Sequence, residues 1–447
     1  MIKDKKTLTY IIIIVVLVII LGVMWYIIIS DNNTNSNSNN TLPGMNNNSQ
    51  TTYSGVKEIT SNEDITSGEY KSSNADENAI LVTGNIKSTL SNITVNKTGD
   101  SAGGDNTSFY GTNSAILAKS GANLTIKNAT ITTDATGANG VFSYGGSATT
   151  NNSSGDGTTV NISNSTITTS KDNSGGIMTT GGGTMNATNL TINTAGTSSA
   201  AIRSDRGGGT VTVNKGTYKT TGKGSPTIYS TADITVKNAK LIATASEGVV
   251  IEGKNSVTLE NVKLTDTNNT LNGQSTTYKN IFIYQSMSGD ADTGTAEFSS
   301  KNSTIVTNKG DSIYVTNTKA NITLENNKFT NKDTTGNFLR IQKDSWGNSG
   351  SNGGDVSLKL INQKVSGNIV VDSISILNME LTQSSSYEGT INSNNEAKEI
   401  KLILDSNSKI KLTGDSYISE LEDADSTYSN IDLNGYKLYV GGKELSK

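Results

Sequence analysis

Two apolar residues two apart, an asparagine two positions further on, and an apolar residue three beyond that recur along this chain. Leu124-Thr-Ile126-Lys-Asn128-Ala-Thr-Ile131 aligns with Val160-Asn-Ile162-Ser-Asn164-Ser-Thr-Ile167. Further copies read Ile234, Val236, Asn238, Leu241; Val257, Leu259, Asn261, Leu264; Ile322, Leu324, Asn326, Phe329; and Leu358, Leu360, Asn362, Val365. Looser ones are Leu90, Asn92, Val95; Met185, Ala187, Asn189, Ile192; Phe298, Ser300, Asn302, Ile305; and Val211, Val213, Lys215, Tyr218. The second residue of each copy falls at 90, 126, 162, 187, 213, 236, 259, 300, 324 and 360, most often 23 to 26 residues after the one before. Alternation of period two predicts strands with one face inward. A repeat of this length predicts a solenoid.

The asparagine between the two strands sits where the chain must turn sharply, and Asn enters the left-handed region more readily than other non-glycine residues. Lys215-Gly216 meets the same need with glycine. A third apolar patch precedes each copy, as at Ala115-Ile116-Leu117, Val141-Phe142, Ile177-Met178, Ala201-Ile202 and Ile228-Tyr229. Three short strands per turn make a coil, and stacked coils pair each strand above and below at about 4.8 Å. At the front, Ile65 and Tyr70 fit the pattern. At the back, Ile374, Ile376, Asn378, Leu381 and then Ile431, Leu433, Gly435, Leu438 are expected as further copies, with Glu420–Asp425 a solvated turn over a C-terminal cap.

On these residues, the chain from about Lys57 onward resembles the right-handed parallel β-helix proteins of the pectate-lyase-like fold. More narrowly, it resembles the adhesin-like repeat proteins of microbial cell surfaces. The resemblance implies an all-β solenoid whose asparagines, Asn92, Asn128, Asn164, Asn189, Asn238, Asn261, Asn302, Asn326 and Asn362, stack as a ladder of side-chain amides. It implies an exposed sheet face that binds glycan or a partner protein. Enzymes of this fold, which cleave acidic polysaccharides, need clustered carboxylates on an outward face.

Residues 8–29 form one apolar block interrupted only by Thr9 and Gly22. As a helix it would reach roughly 33 Å, enough for a hydrocarbon core of about 30 Å. Lys3, Lys5 and Lys6 precede it, which places the N-terminus in the cytoplasm and the rest outside. Trp25-Tyr26-Ile27-Ile28-Ile29 runs to its end without a small-residue cleavage site, so an uncleaved plasma-membrane anchor is expected over a signal peptide. The organisation expected is therefore a stub (1–7), a transmembrane helix (8–29), an Asn/Ser/Thr-rich linker (30–56) and a β-helix ectodomain (57–447).

Composition narrows the chemistry. The 447 residues include no His and no Cys, which excludes His-based triads, His–metal sites, thiol catalysis and disulfides. A formal charge of -4 and only three arginines, Arg203, Arg206 and Arg340, argue against a nucleic-acid partner. No cofactor, metal site or catalytic set is expected. The best polar cluster is Arg203-Ser204-Asp205-Arg206. With Ile202 inward, Arg203 faces out, register sets Phe142, Met178 and Tyr229 beside it, and Tyr284, Gln285 and Tyr314 extend the strip further along. Such a strip would grip a sugar or a partner if exposed, and would be covered if neighbouring loops fold back over it. Outward threonines at Thr130, Thr132, Thr166 and Thr168 form a further array, interrupted by Lys219, Lys240, Lys263 and Lys328.

Overall fold

A strand stacked in parallel on its neighbours satisfies its backbone from above and below, so a polar, glycine-rich chain can fold on a thin apolar core. The computed structural model describes residues 51–446 except 102 and 147–153. The expected stub and transmembrane helix lie outside the described residues. Among the described residues no helix is long and apolar enough to cross a membrane.

The described chain is nearly all β, with long parallel sheets that wind as a β-helix-like solenoid. Each winding gives one strand to a 12-stranded sheet, from Gly55–Ile59 at one end to Ile369–Val371 at the other. It gives two strands to a second, 26-stranded sheet that bends between them. In the 12-stranded sheet Ile80, Ile116, Val141, Ile177, Ile202, Ile228, Val249, Ile281, Ile313, Leu339 and Ile369 stand in one inward column. In the second sheet Leu90, Ile126, Ile162, Ala187, Val213, Val236, Leu259, Ser300, Leu324 and Leu360 form another, in the register the repeat predicts. Both columns belong to a single buried core. Ser300 is tolerated there because its hydroxyl donates to Asn327 Oδ1 at 2.9 Å.

The bend is the asparagine corner. All nine predicted asparagines are left-handed, with φ between 47° and 55°, and Lys215 takes the position at 65° in its own coil. Amides bond rung to rung: Asn128 donates to Asn92 at 3.2 Å, Asn189 to Asn164 at 2.8 Å, Asn261 to Asn238 at 3.3 Å, and Asn326 to Asn302 at 2.7 Å. Where Lys215 holds the corner, Asn214 supplies the amide and accepts from Asn238 at 2.8 Å. The ladder runs along the outside, and all nine side chains are exposed.

Beyond Leu360 the register differs from expectation. Leu358 pairs with Met379 and Leu360 with Leu381, so Ile376 and Asn378 face outward and the corner falls on Gln383, with φ 56°. Ile374 and Ile376 mimic the repeat with the wrong parity, and a one-residue slip exchanges the faces. Ile431 likewise pairs with Ile410 as a third strand, while Leu438–Val440 lies beside Ser416–Ile418. Glu420–Asp423 is a strand paired with Lys401–Leu404; the turn follows it, tied by Asp425 to Thr427 and Ser429.

Candidate functional site

The outward face of the 12-stranded sheet carries the predicted strip. Leu81, Leu117, Phe142, Met178, Arg203, Tyr229, Val250, Phe282, Tyr314 and Arg340 follow one another in register on adjacent strands. The row is present; its exposure is not. Phe142 and Met178 are wholly enclosed and form, with Leu81 and Leu117, an apolar cluster separate from the main core. Their cover is a short helix, α1 (Gly104–Tyr110), in the excursion before Ala115. Its C-cap Gly111, at φ 71°, passes so close that a Cβ there would lie 2.8 Å from Phe142 Cγ. Thr180 Oγ1 donates to Phe109 O at 2.7 Å and pins the helix to the sheet. A second aromatic cluster of Val250, Phe282 and Tyr314 with Tyr229, Tyr284 and Trp346 lies further along the row. Phe142 and Met178 are thus packing residues, and an exposed strip through them is ruled out.

Between the two clusters the polar residues converge. Arg203 Nη2 donates to Asp205 Oδ2 at 2.9 Å, and Arg206 Nε donates to Asp290 Oδ1 at 2.5 Å. The Arg206 guanidinium also lies 4.0 Å above the Phe109 ring. The Arg203–Asp205 pair is largely shielded, at 12% and 8% side-chain exposure, whereas Asp290 of the second pair is 25% exposed. Next to them Glu252 is buried and accepts hydroxyl hydrogen bonds from Tyr229, Tyr284 and Ser286, the last two delivered by the strand and loop of the following coil.

Electrostatics follow from enclosure. Burial pushes the Asp205 carboxyl up to about 6 against the opposing pull of Arg203. Burial likewise raises Glu252, partly offset by hydrogen bonds from Ser286 and Tyr229. Tyr229 and Tyr284 are driven well above the usual phenol range by burial and then by the Glu252 charge. Both tyrosines are therefore neutral donors at physiological pH.

A cleft of about 240 Å³ opens on this cluster, lined among others by Arg203, Asp205, Tyr229, Asn272, Tyr284 and Asp290. Asn272 reaches it from the excursion before Lys279 and rests on Gly224, where a Cβ would lie 2.3 Å from the Asn272 amide nitrogen. The volume falls below the roughly 300 Å³ of a drug-sized pocket and suits one ring-sized polar unit. Of the predicted residues, Arg203, Asp205, Tyr229 and Tyr284 line this cleft, Arg206 braces it through Asp290, and Phe142 and Met178 stand apart. Asp290 and Asn272 are additional, and Ser286 stands behind the cleft on Glu252. In the sequence Asp290 is one half of an Asp-Ala-Asp pair with no other mark. Among the described residues no set of three or more acidic side chains converges as a metal site. Set against family models, curated proteins and solved structures, the chain matches none of them.

Proposed function

We propose that the chain is a cell-surface binding protein of the adhesin-like, right-handed parallel β-helix type, held in the plasma membrane by residues 8–29. The ligand is a glycan, gripped through one terminal or branching unit in the Arg203–Asp290 cleft. The observation that carries this reading is the cleft's lining: two neutral tyrosines, an amide, a guanidinium and two carboxylates around a space of one ring. Such a set matches the alternating hydroxyls and flat faces of a sugar. The arginine–carboxylate pairs hold the donors and acceptors in place, which favours binding over turnover.

The test is a glycan array probed with the purified chain and with Asn272→Ala and Asp290→Asn variants. Saturable binding that drops at least about tenfold in both is expected, each lost polar contact being worth about 1.4 kcal/mol or more. An array without saturable binding, or binding indifferent to both substitutions, sinks the proposal.

Polysaccharide hydrolysis is a second reading, favoured by one fact: Asp205, pushed up to about 6, shares the cleft with Asp290. An acid with a raised pKa beside a second carboxylate is the arrangement that reaction needs. Release of reducing ends from a polysaccharide panel, lost in Asp205→Asn, would establish it over binding alone.

A further inference from the structure

On the outward face of the third strands, one register row reads Thr217, Lys240, Lys263, Thr304, Lys328, Lys364; on adjacent strands it then continues through Ser386 and Lys409. The five lysines fall within seven successive coils, a span of about 29 Å at about 4.8 Å per coil. All five are exposed. Among the described residues, none of the five is in an ion pair, although the same sheet neutralises its cations elsewhere. Lys237 meets Glu260 at 2.8 Å, Lys301 meets Glu325 at 2.7 Å, and Lys359 meets Glu380 at 3.1 Å, each on the adjacent coil.

Lys240 stands directly opposite Lys263, and Lys328 opposite Lys364. Like charges facing each other across parallel strands oppose folding. A glutamate at either position would relieve the repulsion, as it does across the asparagine corner on the second strands, so the row keeps like-charge contacts that the fold itself does not require. Geometry adds a second observation. Lys328, Lys364 and Lys409 line an open groove of about 850 Å³, whose flank holds the Lys411–Glu388 pair at 2.9 Å and Asp432.

We propose that this row binds a linear anionic glycan laid along the axis of the solenoid, with one acidic group for every one or two coils. The hydroxyls of Thr304 and Ser386, in the gaps between lysines, would meet the sugar hydroxyls. Single-stranded nucleic acid is disfavoured because the row interposes no aromatic platform for bases. A lipid surface is disfavoured because the exposed large apolar side chains among the described residues, Val56, Met287 and Tyr436, all lie off the row. The site is on a different sheet from the Arg203–Asp290 cleft, so the two stand or fall separately.

The experiment measures binding of the purified full chain to heparin across a salt series, beside single-stranded polyuridylate and phosphatidylserine vesicles. Heparin binding that weakens steeply with salt is expected. The neutral variant Lys328→Gln/Lys364→Gln/Lys409→Gln should lose about tenfold or more and flatten the salt slope by about 2 to 3, with its thermal midpoint not lowered. Lys240→Gln/Lys263→Gln, at the other end of the row, should weaken binding in the same sense. The control Lys237→Gln/Lys301→Gln/Lys359→Gln should stay within about twofold of the parent, its cations being already paired. Absence of heparin binding, equal losses in control and row variants, or preference for polyuridylate or vesicles overturns the proposal.

Discussion

Lys279 Nζ lies 3.4 Å from Glu247 Oε1, with the lysine side chain wholly enclosed and the glutamate 8% exposed. The ammonium also sits 4.1 Å from the centroid of Phe282. Burial lowers the Lys279 pKa, and the Glu247 charge resists that. Removing one partner of such a pair strands the other charge in the interior. Lys279→Met is therefore expected to cost about 3 kcal/mol, and adding Glu247→Gln to recover most of it. Urea denaturation of the single and double variants checks this; a harmless single substitution would contradict it.

Lys97 gives a signed pH effect. Its ammonium donates to Asn74 O at 2.6 Å and Gly99 O at 2.7 Å, and burial lowers its pKa from 10.5 to about 8. Between those values the unfolded chain holds more protons than the folded one. This group's contribution to stability therefore rises as pH climbs from about 8 toward 10.5. Denaturation midpoints at both ends of that window should show the rise, and Lys97→Met should remove it.

The asparagine corner separates backbone from side chain. Asn189 has φ 55° and an exposed amide that donates to Asn164 at 2.8 Å. Asn189→Gly keeps the left-handed turn and loses only a solvated amide contact, so near-neutral stability is expected. Asn189→Ala forces a Cβ into that region and should cost about 1 kcal/mol. A glycine variant less stable than the alanine one would show that the ladder, not the turn, holds the corner.

Phe142 distinguishes a packed row from a binding strip. Enclosed beneath α1, it should cost about 4 kcal/mol when changed to Ala. Melting of the variant, read by circular dichroism, gives the loss. Unchanged stability would mean that α1 does not cover the sheet.

Much of this fold could be read from the chain, because a period of two and a single-residue corner leave little freedom. The column from Leu90 to Leu360 needed only the positions of apolar residues flanking an asparagine. The same rule misled at Ile374 and Ile376, where outward isoleucines copy the signal that inward Leu377, Met379 and Leu381 carry. Side-by-side placement of Phe142, Met178, Arg203 and Tyr229 follows from register, but the choice between exposure and covering does not. The cover is a seven-residue helix too short to show a periodicity of its own. Asp290 and Asn272 reach the cleft from excursions that obey no repeat, so spacing carried no trace of them. Lys240, Lys263 and Lys328 show in the sequence only as interruptions of a threonine array and Lys364 and Lys409 not at all, since their shared row depends on coil lengths that the structure supplies.

Those excursions depart from the two borders of the 12-stranded sheet, as with α1, the stretch before Lys279 and the loop holding Asp290. From Lys127 to Lys364 the asparagine corner stays short, never more than two residues between strand segments. The molecule is thus divided into a conservative side and a permissive one. New peptide inserted at a border of the 12-stranded sheet leaves the strands on either side in register, as the existing excursions do, whereas one residue added at a corner turns the faces of the strand that follows it in that coil. Diversification of this chain, by nature or by engineering, should therefore gather over the face that bears the cleft and leave the lysine-bearing side to vary by substitution alone.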